Sequence, residues 1–224
     1  MEAQHPAVLY CWLSLTLTLI ILAFPSLGGY GWEGGLFTWN LHPTLLLIGI
    51  LGFLPVGIAG IRRPSAGGAR ASGATSRHIA LQCVGLLCAL GGYAAAYVLH
   101  ELRGHAHLPP WSKPLSKQAH IYGGLVLLFL LLAVAGAGSL LARLRDGLGF
   151  LGLSEGSSLK ERHSFWGLRV WVGLVFVCWL GIYMPLWEKA GANTTAPVLF
   201  LLLSGLYGVS TYAMCDAFGR STYI

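Results

Sequence analysis

The chain is short of charge. Of 224 residues, 10% are Asp, Glu, Lys or Arg, against about 25% in an ordinary soluble domain. Hydrophobic residues reach 55%, and the mean hydropathy is +0.68. So few charges cannot shield so much apolar surface from water, which excludes a soluble fold of this size and makes lipid the solvent. Acidic residues are the scarcer kind, eight against fourteen basic ones, for a net charge of +6. No basic surface interleaved with aromatics accompanies that excess, so it bears on loops and membrane orientation and not on nucleic acid.

Several chemical signatures are missing as well. The five cysteines, Cys11, Cys83, Cys88, Cys178 and Cys215, all fall in apolar stretches, and no C-x-x-C or C-x-x-C-H occurs. Structural zinc, iron–sulfur clusters and covalently attached haem are therefore not supported. H-E-x-x-H is absent, and the G-x-S-x-G spelled by Gly152–Leu153–Ser154–Glu155–Gly156 lies between two apolar runs with no strand before it, so hydrolase chemistry is not supported. Gly147–Leu148–Gly149–Phe150–Leu151–Gly152 spells the dinucleotide fingerprint, but it follows an apolar helix and not a strand. In so glycine-rich a chain it reads as a chance match.

What the chain has is long apolar runs. A hydrocarbon layer of about 30 Å takes roughly 20 residues of helix. Six stretches meet that length, near 7–25, 42–61, 78–100, 119–142, 164–186 and 196–217, each bounded by Pro, Gly or charge. They predict an all-α membrane protein with six transmembrane helices in a single domain, 1–224, with no room for a soluble one. The first run lacks a positive leading segment and is long for a signal peptide, so it is read as a helix. Trp12, Trp32, Trp39, Trp111, Trp166 and Trp187 near the predicted ends form the usual aromatic belt. The segment 64–77 is small, polar and Gly-rich, a flexible connector.

Lys and Arg in the loops set the orientation. With the N-terminus inside, the inner side carries Arg62, Arg63, Arg70, Arg77, Arg143, Arg145, Lys160, Arg162 and Arg220. The outer side carries Arg103, Lys113, Lys117 and Lys189. This bias predicts an integral multi-pass protein with both termini on the cytoplasmic or equivalent side. The sequon Asn193–Thr194–Thr195 falls on the predicted outer side but is common by chance.

The eight histidines carry most of the information. His42, His78, His120 and His163 open spans two to five, each in the expected first turn. Successive spans run antiparallel, so His42 and His120 fall near the outer face, and His78 and His163 near the inner one. A polar side chain in a membrane faces the interior of a bundle and has a partner. Glycines follow each histidine on its own face: Gly49 and Gly85 at i+7, Gly123 and Gly124 at i+3 and i+4, Gly167 at i+4. Small residues also serve plain helix packing; beside a histidine they leave space for a flat ring system. A flat ring that takes one imidazole from each of two helices is haem. Zinc or copper is the rival, but neither pair brings an Asp, Glu or Cys to complete a coordination sphere.

These residues also carry a likeness. Phe37–Thr38–Trp39–Asn40–Leu41–His42–Pro43, His120–Ile121–Tyr122–Gly123 and His163–Ser164–Phe165–Trp166–Gly167 resemble the cytochrome b561 family, as do His78 opening the third helix and His100 closing it in Tyr97–Val98–Leu99–His100. The resemblance spans roughly residues 36–184. It implies a central four-helix bundle, helices 2–5, holding two haem b groups, with His42 and His120 as axial ligands of the outer iron and His78 and His163 of the inner one. By the same resemblance, the chain is an oxidoreductase passing electrons from an inner donor such as ascorbate to an outer acceptor, monodehydroascorbate or a ferric chelate. An anionic donor needs a basic rim, for which Arg62, Arg63, Arg77 and Arg162 are the candidates, although they also suit plain positive-inside anchoring. Outside, His105, His107 and Lys117 are candidates to meet the acceptor, or are solvated loop residues. Arg169, within the fifth span, needs a partner, a haem propionate or a carbonyl. Thr75 stands where family members often carry Lys, three residues before the histidine of helix three; this departure weakens the ascorbate assignment and leaves the haem assignment intact. The alternatives are an accessory subunit of a larger membrane complex that reuses the fold, with or without haem, and a histidine-based proton or metal transporter. A homodimer or other membrane partners are compatible with either.

Overall fold

The computed structural model describes residues 6–24, 40–61, 72–105, 107–108, 114–150, 157–188 and 195–219; at some helix ends, including 141–150 and 157–161, it describes the backbone alone. Helix α1 is Pro6–Ala23, α3 Ser72–Leu102, α4 Leu115–Phe150, α5 Ser157–Glu188 and α6 Thr195–Gly219. Helix α2 runs as Leu41–Leu47, a π-helical stretch Ile48–Phe53, and Leu54–Ile61. Among the described residues there is no strand, and six helices are long and apolar enough to cross a membrane.

The helices form because a chain with no water around it must pair its backbone groups within the segment. Their ends follow local chemistry. Pro6 and Pro43 stand in first turns, where no N–H is needed. At the end of α3, Gly104 adopts φ +63°, a left-handed conformation that suits glycine. Gly104 N–H then donates to Glu101 O at 3.1 Å and His105 N–H to His100 O at 2.9 Å, closing the helix with the paired bonds of a Schellman motif.

Three helices begin earlier than the apolar runs do. Helix α3 starts at Ser72, α4 at Leu115 and α5 at Ser157, so of the four histidines only His42 stands in a first turn. Hydropathy marks where lipid ends, whereas a helix continues for as long as its residues tolerate it; Arg, Lys, Gln and Glu are good helix formers.

Helices α2 and α3 pack as an antiparallel hairpin, and so do α4 and α5; α1 lies against α6, and α6 also against α5. The buried core joins Leu47, Ile50, Leu51 and Leu54 of α2 to Val170, Trp171, Leu174 and Val175 of α5. Large apolar side chains point outward, Leu87 at 66% and Phe129 at 64% exposure, as a surface wetted by lipid requires. Polar residues tie α1 to α6: Ser14 and Ser210 hydroxyls lie 2.9 Å apart, and Thr18 Oγ1 lies 3.3 Å from Tyr207 Oη. Asn40, fully buried, donates to Leu22 O at 3.0 Å and so fixes the start of α2 against the end of α1.

Candidate functional site

The two hairpins bring the four histidines together as two pairs. The ring centroids of His42 and His120 are 6.3 Å apart and their planes 84° apart. Those of His78 and His163 are 6.4 Å apart, again at 84°. Each pair takes one ring from each hairpin. Since His78 bonds to Gly57 on the helix that carries His42, the rise along α2 separates the pairs by about 20 Å.

Three of the rings are oriented by backbone carbonyls on the neighbouring helix. Nδ1–H of His42 donates to Gly92 O at 2.8 Å, that of His78 to Gly57 O at 2.9 Å, and that of His120 to Val177 O at 3.0 Å. A carbonyl only accepts, so Nδ1 carries the proton and Nε2 keeps its lone pair for a ligand bond. His163 occupies the matching place opposite the Val134 backbone, but the contact is looser than the other three and leaves its buried Nδ1 without a well-formed hydrogen bond.

Glycines make this reach possible. A Cβ on Gly92 would stand 3.0 Å from His42 O, and one on Gly49 would stand 2.6 Å from Gly85 O, so α2 and α3 touch backbone to backbone. In the α4–α5 hairpin, a Cβ on Gly181 would lie 2.6 Å from His120 Cε1, and one on Gly138 would lie 2.7 Å from His163 Cε1. These two glycines lie on the opposite helix from their histidine, and the sequence pattern did not single them out. Those it did single out have other duties. Gly123 and Gly124 face Val177, Gly167 faces Val134, and Gly49 and Gly85 bring α2 and α3 together.

Two imidazoles that hold one metal ion from opposite sides, by bonds of about 2.0–2.1 Å and with each nitrogen about 1.1 Å from its ring centroid, have centroids about 6.2–6.4 Å apart. Both pairs have that spacing. Among the described residues no group of three or more His, Cys, Asp or Glu is placed to hold a metal ion, so each pair is a two-nitrogen set. The residues fit a prosthetic group that would bring its remaining ligands with it.

Comparison with known protein families and with curated proteins finds no match for this chain.

At the His42 end, the Schellman turn folds the chain back over α3. His107 Nε2 lies 2.6 Å from Glu101 Oε1, and its ring stacks on Tyr97 with centroids 4.0 Å apart. His100 lies 5.9 Å from His107 and 6.1 Å from His105, so His105 and His107 join His100 in one aromatic cluster. Lys117 is exposed on the first turn of α4, at the same end. At the His78 end, Arg77 and Arg162 are exposed beside the second pair, and Arg62 and Arg63 lie outside the described residues. Arg169 Nη1 donates to Phe165 O of its own helix at 3.1 Å, and the guanidinium stands 3.1 Å above the Phe165 ring. All five cysteines are free thiols. The fingerprint glycines Gly147 and Gly149 continue α4 as helix, Gly152 lies outside the described residues, and so do Asn193 and Thr194 of the sequon.

Proposed function

We propose that the chain is a transmembrane electron carrier of the cytochrome b561 kind. In this reading α2–α5 form a central four-helix bundle that takes two b-type haems, one between His42 and His120 and one between His78 and His163. The observation that carries it is the ring spacing, 6.3 and 6.4 Å in two pairs that each take one ring from each hairpin. Bound haem, held by these four imidazoles, would supply reversible one-electron chemistry.

The rest falls to the chain's own residues. Gly92, Gly57 and Val177 carbonyls hold three imidazoles in the tautomer that leaves Nε2 free. Gly138 and Gly181 clear the edge of the rings on α4 and α5. All four rings are half-buried. At the His78 end, on the side of both termini, Arg77 and Arg162, with Arg62 and Arg63, attract an anionic reductant of the ascorbate class. At the other end His105, His107 and Lys117 meet the acceptor, a ferric chelate or oxidised ascorbate. The positive bias of the loops supports a cytoplasmic position for the His78 end.

A reduced-minus-oxidised absorbance spectrum of the purified protein tests the reading. It should show b-type haem, with two haems per chain by pyridine haemochrome. Replacing His78 by Ala should remove one haem and spare the other. Protein that binds no haem overturns the proposal; haem that ascorbate does not reduce overturns the donor assignment and favours an accessory role.

A further inference from the structure

Helix α2 contains a carbonyl that it does not satisfy itself. Through Ile48–Phe53 the backbone bonds run from residue i to i+5, and Leu54 N–H donates to Gly49 O. The next donor in that register, the one due to Ile50 O, is Pro55, which has no N–H. With no water at hand, an unpaired carbonyl is strongly disfavoured. Its partner comes from another helix: Trp171 Nε1–H donates to Ile50 O at 2.7 Å. Trp171 and Ile50 are each 1% exposed.

The place of this bond is as informative as its chemistry. On α5, Trp171 lies between His163 and Val177, the residue that orients His120. On α2, Ile50 lies between His42 and Gly57, the residue that orients His78. The bond is thus about 10 Å along the helices from either pair. It joins the α2–α3 hairpin to the α4–α5 hairpin, and each histidine pair draws one ring from each hairpin.

We propose that Trp171 is the positioning residue that keys the two hairpins together, so that a single indole N–H sets the gap in both histidine pairs. The proposal rests on the reading that the pairs hold haem. Its signature is that both sites respond together to one change made near neither.

Trp171→Phe removes the donor and keeps an aromatic ring. In the purified full chain, affinity for haem should fall about ten-fold at both sites, and the low-spin electron paramagnetic resonance signals of both should shift. Adding Pro55→Ala returns a backbone N–H to the Ile50 carbonyl and should restore both signals. A change at one site only, or at neither, overturns the proposal, as does a double variant no better than the single one. If Trp171→Phe alone does not accumulate, recovery of folded, haem-loaded protein in the double variant decides the same point. A readout without haem separates this proposal from the functional one. In haem-free protein carrying ¹⁵N-histidine, Trp171→Phe should move the ring resonances of His42, His120, His78 and His163 together; movement confined to one pair, or none, overturns the keying even if the wild-type chain binds no haem.

Discussion

A Cβ on Gly181 would stand 2.6 Å from Cε1 of His120, and the same contact recurs between Gly138 and His163 at 2.7 Å. The α4–α5 hairpin thus has a local two-fold character: each helix offers a histidine to one end and a glycine to the other. An alanine at either glycine must push the imidazole off its place, because the new Cβ is fixed to the backbone and the ring is the part that can move. Gly181→Ala should therefore deplete the His42–His120 site and Gly138→Ala the His78–His163 site, with a strain of about 1–3 kcal/mol in each. Pyridine haemochrome on each variant, expected to approach one haem per chain, checks this. Equal loss from both sites would contradict it.

The two pairs differ in how they are braced. His120 donates to Val177 O at 3.0 Å, whereas the buried Nδ1 of His163 has only a looser contact with the Val134 backbone. A ligand imidazole that donates to a carbonyl is both better oriented and more basic. If the pairs hold haem, His163 should be the first imidazole displaced when carbon monoxide is offered to the reduced protein. The site affected is identified by repeating the experiment in His42→Ala, which keeps only the second pair: the fast-reacting fraction should persist there.

Arg77 and Arg162 are exposed beside the second pair. If they steer an anionic reductant, Arg77→Gln and Arg162→Gln should each raise KM for ascorbate about two- to five-fold with kcat unchanged. The difference should shrink as salt is raised, since exposed charges are screened beyond about 10 Å at 0.1 M. Stopped-flow reduction over a salt series measures both effects.

Gly104 supplies the positive φ that ends α3 and returns His105 and His107 to His100. Gly104→Ala places a Cβ in a left-handed conformation at about 1 kcal/mol or more. It should slow electron delivery to an external ferric chelate and leave haem content and ascorbate reduction as they were. Oxidation kinetics with the chelate, compared with the reductive half-reaction, separate the two ends.

Tyr207→Phe removes the hydroxyl that faces Thr18 across the α1–α6 contact. Interhelical hydrogen bonds in membranes average about 0.6 kcal/mol, and Thr18 retains its bond to Ser14 O. Unfolding in a detergent series should show a loss of that size, with the haem spectrum unchanged.

The six spans were legible in the sequence because hydropathy reports lipid directly. The closeness of His42 to His120 and of His78 to His163 was legible because antiparallel alternation assigns the start of each apolar run, though not of each helix, to a face. Gly138 and Gly181 were not, since their role depends on the register between two helices, and apolar runs carry no register. The early starts of α3, α4 and α5 escaped for a related reason: charged residues such as Arg77 and Arg162 end a lipid-facing run without ending a helix. Pro55 was visible as a residue, but only the neighbouring backbone bond from Leu54 to Gly49 reveals which carbonyl it leaves for Trp171.

The π turn in α2 also has a bearing on how this chain tolerates length changes. The numbers of facing residues add to the same total at His42–Gly92 and Gly49–Gly85, and to one more at Gly57–His78. Helix α2 therefore holds one residue more than α3 over the same distance, and Ile48–Phe53 is where that surplus is stored. Removing a single residue from this stretch would let the helix rewind as an ordinary α-helix while His42 and Gly57 kept their partners. Removing one anywhere else between those two positions would rotate one end by about 100° relative to the other, turning a histidine or its acceptor away from the bundle.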